Sequence, residues 1–275
     1  MTVPPLPLPP VAAPFLLPFH YGALHQVGID HLVDPGPARD LVARRHPGLE
    51  VAEFDSRACV STNFQLYFAQ YANGGGITQE IEVSVITVPR GQAHRVAALS
   101  YADYAAGTDS SKLLGIGRLH VLCDNPIAIE AGTKLFAEPK YAARFSVSMP
   151  SPNGPDTQTW DVRCLTEDGA ELLSLTARLD GLTAVPVHSA PVTGYGTTED
   201  GRLLAGPMNV YQPYRLHLLD AATADRVSVH VTDPSSPAGA DLTALLGDAS
   251  AAGAWTFQSA PIAAHNRPYY LPHAG

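Results

Sequence analysis

Residues 58–72 (ACVSTNFQLYFAQYA) and 77–88 (ITQEIEVSVITV) are long runs rich in β-branched and aromatic residues, separated by Asn73-Gly74-Gly75-Gly76. Such residues fit a pleated surface, and the glycine cluster supplies a turn or bulge, so the pair predicts a β-hairpin. In the second run, alternation puts Ile77, Ile81, Val83 and Val85 on one face and Glu80, Glu82 and Ser84 on the other. The acidic face is then either a solvated surface or the lining of a polar interior.

Similar punctuation continues along the chain. Residues 157–165 and 170–179 flank Glu167-Asp168-Gly169, a second hairpin signal, and further strands are predicted at 118–123, 141–149, 214–219 and 226–232. Helices are predicted at 37–46, with Leu41 and Val42 facing inward, and at 242–246. A third begins at Asp124-Asn125-Pro126, a capping residue followed by proline in the first turn, and is expected to stop near Ala131 because Gly132 follows. Strands outnumber helices and follow one another through turns rather than helical crossovers. The expected fold is α+β, a mainly antiparallel curved sheet or closed β-barrel with a few packed helices. With no internal repeat and no interior linker, residues 16–275 read as one domain behind a proline-rich arm, residues 1–15.

Composition removes several classes of function. The 275 residues are 45% hydrophobic and 16% charged, enough for a substantial core. A net charge of −9 leaves no basic footprint for nucleic acid or an anionic membrane. No apolar run approaches the roughly eighteen residues of a membrane span. The arm is broken by prolines and lacks a basic start, so it reads as polyproline-like rather than as a secretory signal. Cys59, Cys123 and Cys164 are odd in number and lack metal-ligand spacing, which favours a reducing, cytoplasmic setting. His20, His25, His31 and His46 lack ligand spacing too, so no metal site is predicted. There is no phosphate loop, dinucleotide fingerprint or Gly-x-Ser-x-Gly elbow, and no cofactor is expected.

Lysine is scarce: only Lys112, Lys134 and Lys140 occur, while arginine carries most of the positive charge. Arginine stays protonated, whereas a buried lysine can lose its proton and act as a nucleophile. Lys140 ends the segment 124–140 (DNPIAIEAGTKLFAEPK), where a capped helix and a proline-set turn deliver it at a fixed place. Phe136, Ala137, Tyr141, Ala142 and Ala143 surround it with little charge except Glu138. Desolvation there is expected to lower its pKa and free an amine for imine formation with a ketone or aldehyde. Read from the residue pattern alone, a lysine on a surface turn fits as well.

This segment resembles the signature of the acetoacetate decarboxylase superfamily. Asp124, Asn125, Ala128, Ile129, Gly132, Leu135, Ala137, Pro139 and Lys140 fall on its pattern without a gap, and a looser likeness runs from His20 to Met149. Beyond that only general character and the ending, Pro261 to Tyr270, are similar. The resemblance implies that Lys140 is the Schiff-base lysine and that Glu80 transfers protons. Gln65 stands where the family has a glutamate and would orient a substrate carbonyl or carboxylate. His20 lies near the place of a family arginine, and Arg118 precedes the motif strand; either would meet a substrate carboxylate, or Arg118 would form a salt bridge. Tyr141 replaces a second lysine, and Gly132-Thr133-Lys134 replaces Gly-Arg-Glu. Tyr101 and Tyr104 are phenol donors or packing residues.

These departures are similar to those of divergent members that condense, dehydrate or cyclise 2-oxo acids. The expected activity is therefore a cofactor-independent Schiff-base lyase acting on a small oxo acid or aldehyde. Acetoacetate decarboxylation and a non-catalytic small-molecule-binding role are the alternatives. The arm and the resemblance both imply a homo-oligomer.

Overall fold

The computed structural model describes residues 8–71, 74–151, 158–189, 191–208 and 213–258. Residues 1–7 of the arm, Asn73, Thr157 and the ending 261–270 lie outside the described residues. Strand β1 (His20–Val33) precedes helix α1 (Pro35–Arg45), and the short strands β2 (Leu49–Val51) and β3 (Glu53–Phe54) lead into β4 (Arg57–Tyr71) and β5 (Gly74–Pro89). Helix α2 (Tyr101–Ala105), β6 (Gly115–Cys123), α3 (Pro126–Phe136), β7 (Lys140–Ala142) and β8 (Arg144–Ser148) follow. Next come β9 (Thr159–Leu165), β10 (Glu171–Arg178), β11 (Val185–Val187), β12 (Val192–Thr197) and β13 (Leu203–Met208). The described chain ends with β14 (Tyr214–Leu218), β15 (Val227–Val231), α4 (Pro237–Leu246) and β16 (Ala251–Gln258).

The hairpin signals are realised. β4 and β5 pair antiparallel from Val60 opposite Val85 to Tyr71 opposite Gly74, and β9 and β10 pair across a turn in which Gly169 takes a φ of +92°. Gly74, Gly75 and Gly76 do not form the first turn, as expected from sequence, but belong to β5 opposite Tyr71, Gln70 and Ala69. A twelve-stranded sheet follows the order β11-β14-β16-β1-β4-β5-β6-β12-β13, with β2, β3 and β7 paired beside it. The expected closed barrel is not formed. The ends of this path, β11 and β13, do not pair with each other among the described residues, so the sheet is open. Nor is it wholly antiparallel: β6 runs parallel to β12 near its start and to β7 near its end.

A second sheet, β15-β10-β9-β8, faces the first. Between them lie Val27, Ile29, Phe64, Ile81 and Val83 from the large sheet and Trp160, Val162, Leu173 and Leu175 from the small one, all essentially without exposure. Each such side chain stabilises the fold by on the order of 1.5–3 kcal/mol through removal from water. The predicted strand 141–149 is broken at Ala143, where the chain crosses between the sheets. Its N–H donates to the Cys123 carbonyl at 2.9 Å and its side chain is buried in the shared core.

On the apolar face of β5, Ile81 and Val83 are thereby committed to this core, Val85 packs with Leu41 and Val42 of α1 in a neighbouring cluster, and Ile77 is exposed. Its acidic face is not solvated: Glu80 and Glu82 are 3% and 4% exposed. They bound an internal cavity that α3 covers with Ala131, Gly132 and Phe136, and to which Val192 and Met208 also contribute.

Candidate active site

Lys140 owes its place to the chain that delivers it. The Asn125 side chain accepts from the Ile127 N–H at 3.0 Å and its amide donates to Thr78 Oγ1 at 2.9 Å, which caps α3 and ties it to β5. Pro126 occupies the first turn, as expected. The predicted stop at Gly132 is not observed, because the helix continues to Phe136 and ends at Ala137 in the left-handed region (φ 52°). Gly132 serves another need. A methyl group there would meet the Glu138 carboxylate and come within 2.8 Å of Lys140 Cδ, so the glycine lets both side chains lie against the helix. Pro139 disfavours helical backbone at Glu138, and the chain turns tightly there, with the Lys140 N–H donating to the Glu138 carbonyl at 2.8 Å. Lys140 then pairs in parallel with Val121 of β6.

Register sets what Lys140 meets. Across β1, β4 and β5, three rows share one face: Gln26–Gln65–Glu80, Gly28–Asn63–Glu82 and Asp30–Ser61–Ser84. On β6 the register shifts between the partners of Val83 and Ser84, so that His120 opposes Val83 while Arg118 opposes Ser84. Residues two apart on a regular strand share a face; this bulge turns Arg118 to the cavity while His120 stays on the other side.

The resulting constellation is a buried charge network. Lys140 Nζ lies 2.5 Å from Glu80 Oε2 and 3.6 Å from Glu138 Oε2, with the lysine side chain only 5% exposed. Arg118 pairs with Glu82 at 2.7 Å and with Glu138 at 3.6 Å. Gln65 donates to Glu80 and accepts from Gln26 at 2.6 Å, and the Tyr67 hydroxyl donates to Glu80 at 3.1 Å. The cavity holds about 170 Å³, the scale of a small molecule rather than a polymer.

The charges reverse one expectation. Burial by itself would lower the pKa of Lys140, but Glu80 and Glu138 outweigh it and hold the amine above its ordinary value, as an ammonium. Burial raises Glu80 above the usual carboxylate range, helped by Glu82 and Glu138 and opposed by Lys140. Burial also pushes Glu138 upward, but Arg118 and Lys140 overcome this and hold it below that range. Glu138 thus remains ionised while Glu80 is the carboxyl with raised proton affinity. Two carboxyls pushed apart in this way divide into a counterion and a proton carrier.

Lys140, Glu80, Gln65 and Arg118 are therefore brought together. His20 is not: it is exposed at the start of β1 and absent from the cavity lining. Tyr141 is not in the lining either, because strand alternation turns it to the far face, where its hydroxyl lies 3.2 Å from His120 Nδ1. Tyr104 lines the cavity, while the Tyr101 hydroxyl donates to Asp30 at 2.9 Å. Glu138, Tyr67 and Asp30 were not selected from sequence. Glu138 reaches the site through the tight turn at Pro139, which sets it beside Lys140, and neither it nor Asp30 carries a periodic signal.

No family model matches the chain, and no curated protein matches its sequence. Among solved structures it is similar to the enduracididine biosynthesis enzyme MppR complexed with pyruvate, at 15% identity and a TM-score of 0.62 over 90% of this chain and 87% of that one. The same enzyme complexed with the condensation product of pyruvate and imidazole 4-carboxaldehyde gives 15% identity and 0.59 over 90% and 86%. An acetoacetate decarboxylase gives 13% identity and 0.50 over 87% and 84%. At such identities the likeness is one of fold. It agrees with the resemblance of segment 124–140, and the chain has the acetoacetate decarboxylase-like fold.

Proposed function

We propose that this protein is a cofactor-independent Schiff-base lyase that acts on a small oxo acid by aldol condensation and dehydration, or by cyclisation. The observation that carries the reading is the buried contact of Lys140 Nζ with Glu80 Oε2 at 2.5 Å, at the wall of a small cavity. An ammonium cannot attack a carbonyl, so the first step passes its proton to Glu80. The free amine then adds to the carbonyl carbon, and the carbinolamine oxygen takes up a proton and leaves as water, giving the imine. Removal of a proton from the adjacent carbon gives an enamine, whose carbon attacks an aldehyde. Loss of the new hydroxyl as water gives the unsaturated product, and hydrolysis returns Lys140. Glu80 moves the protons in each step, Glu138 stays as counterion to the cationic imine, and Gln65 orients Glu80 and the substrate oxygen.

The structures of MppR with pyruvate and with a pyruvate–aldehyde condensation product support this reading by likeness of fold. The test is borohydride reduction of the protein with pyruvate, followed by peptide mass mapping. The expected adduct is on Lys140, and Lys140→Ala abolishes it. An adduct only on Lys112 or Lys134 overturns the proposal. Carbon dioxide release from acetoacetate without pyruvate–aldehyde condensation moves the reading to decarboxylation.

A further inference from the structure

The row Asp30–Ser61–Ser84 lies four residues along β1 from the row that holds Glu80, about 13 Å at the rise of a strand. Asp30 is 5% exposed and lines the same cavity. It accepts from the Tyr101 hydroxyl at 2.9 Å and from Trp255 Nε1 at 3.4 Å. The indole lies across Gly28, its cross-strand partner, where any side chain would occupy the ring's place. Tyr101 and Trp255 are neutral, and no cation among the described residues pairs with Asp30.

The intervening row has the same character. Asn63 donates its amide to Glu82 at 3.4 Å, while its Oδ1 has no donor; in the Asp30 row itself Ser84 Oγ also lacks a partner. Both side chains belong to the cavity lining and are 3% and 0% exposed. An orphaned acceptor in such a place is costly unless a ligand supplies the missing donor. The lining carries Asp30, Glu80, Glu82 and Glu138 against Lys140 and Arg118, and both cations are engaged by glutamates. The unpartnered Asn63 oxygen calls for a hydrogen-bond donor and the unpaired Asp30 carboxyl for a positive one, and an N–H cation answers both. Tyr104, Tyr214 and Trp255 add aromatic faces to the lining, and such faces attract cations too.

We propose that the Asp30 end of the cavity is a subsite for a protonated nitrogen group of the substrate, whose carbonyl meanwhile reaches Lys140. This rests on the imine reading and narrows its substrate class to an oxo acid or aldehyde that carries an N–H cation. Burial raises the Asp30 carboxyl above the ordinary carboxylate range, against the hydrogen bonds from Ser61, Tyr101 and Trp255. An arriving cation supplies the opposite charge that the described side chains do not.

The test titrates n-butylammonium and 1-butanol into the full chain by calorimetry, beside borohydride trapping of pyruvate. Charge-assisted hydrogen bonds make the ammonium bind about tenfold tighter or more than the alcohol of equal length. Asp30→Asn brings the two affinities together. Equal binding to the unmodified protein overturns the subsite, and this comparison stands even if Asp30→Asn fails to fold. A preference that survives Asp30→Asn overturns it as well. Equal binding with pyruvate still trapped removes the subsite alone; an Asp30-dependent preference without trapping removes the imine reading and leaves the subsite.

Discussion

At the scale of single residues, the informative pair is an ammonium and a carboxyl that have been withdrawn from water together. Lys140 is held protonated by Glu80 and Glu138, so its nucleophilicity depends on where the proton goes and not on desolvation alone. Glu80→Gln would remove one of the two charges that hold the ammonium, which favours the free amine, while abolishing proton transfer at the carbon beside the imine. The two effects separate experimentally. Borohydride trapping of pyruvate at Lys140 persists in Glu80→Gln, whereas exchange of the pyruvate methyl protons for deuterium, followed by NMR, slows by about a hundredfold or more. Unchanged exchange would remove Glu80 from the proton-transfer role. Lys140 was legible because its scarcity and a seventeen-residue pattern converged on it, and Glu80 because alternation put it on a polar face. Arg118 reached the cavity through a bulge that its own sequence does not announce. Tyr141 sits beside Lys140 in sequence and on the opposite side of the sheet in space, which one-residue adjacency in a strand always implies.

At the scale of elements, the start of α3 was more readable than its stop, whereas α4 ends at Leu246 as expected but begins at Pro237, five residues before the expected 242. Asn125 marks the beginning of α3 by accepting from a backbone N–H and Pro126 by needing no partner there, while α1 begins two residues before the expected start at 37, behind Asp34, which accepts from the Gly36 N–H at 2.7 Å. Gly132 looked like a helix end because glycine often is one, but its missing side chain is used for close approach of Lys140 and Glu138. That distinction has a measurable sign. If glycine were merely tolerated within α3, Gly132→Ala would stabilise the helix by roughly 0.5–1 kcal/mol. The contacts above make the added methyl collide, with an expected net loss of about 1–3 kcal/mol and weaker trapping at Lys140. A denaturation midpoint that rises in Gly132→Ala would refute the close-packing role. The break at Ala143 had no comparable signal, since a buried alanine reads the same in a continuous strand as at a crossing between sheets.

At the scale of the molecule, strand content and the dominance of hairpins were legible from local patterns, whereas the parallel additions to β6 and the open ends of the sheet depend on distant segments meeting. The same long-range packing buries imidazoles that looked unremarkable in sequence. His31, His46, His120 and His217 are each 5% exposed or less, and burial lowers the pKa of all four, that of His31 to about 4. Contacts with the Arg118 carbonyl, with Asp241 and with Thr183 partly oppose this at His46, His120 and His217 respectively. An imidazole whose pKa is lower folded than unfolded takes up its proton first in the unfolded chain. Its contribution is therefore complete above a pH of about 6.5 and is lost as the pH falls toward the folded value. Glu80 and Asp30 act in the opposite sense, because their raised carboxyls bind protons earlier in the folded state. Of these groups His31 has the clearest depression, which accounts for roughly 3 kcal/mol at full expression. His31→Leu should accordingly raise the thermal midpoint at pH ~5 relative to that at pH ~7.5, whatever its effect on either, because it removes a proton uptake that the unfolded chain gains first. A midpoint difference between the two pH values that His31→Leu leaves untouched would mean that the His31 imidazole is not held neutral in the folded chain.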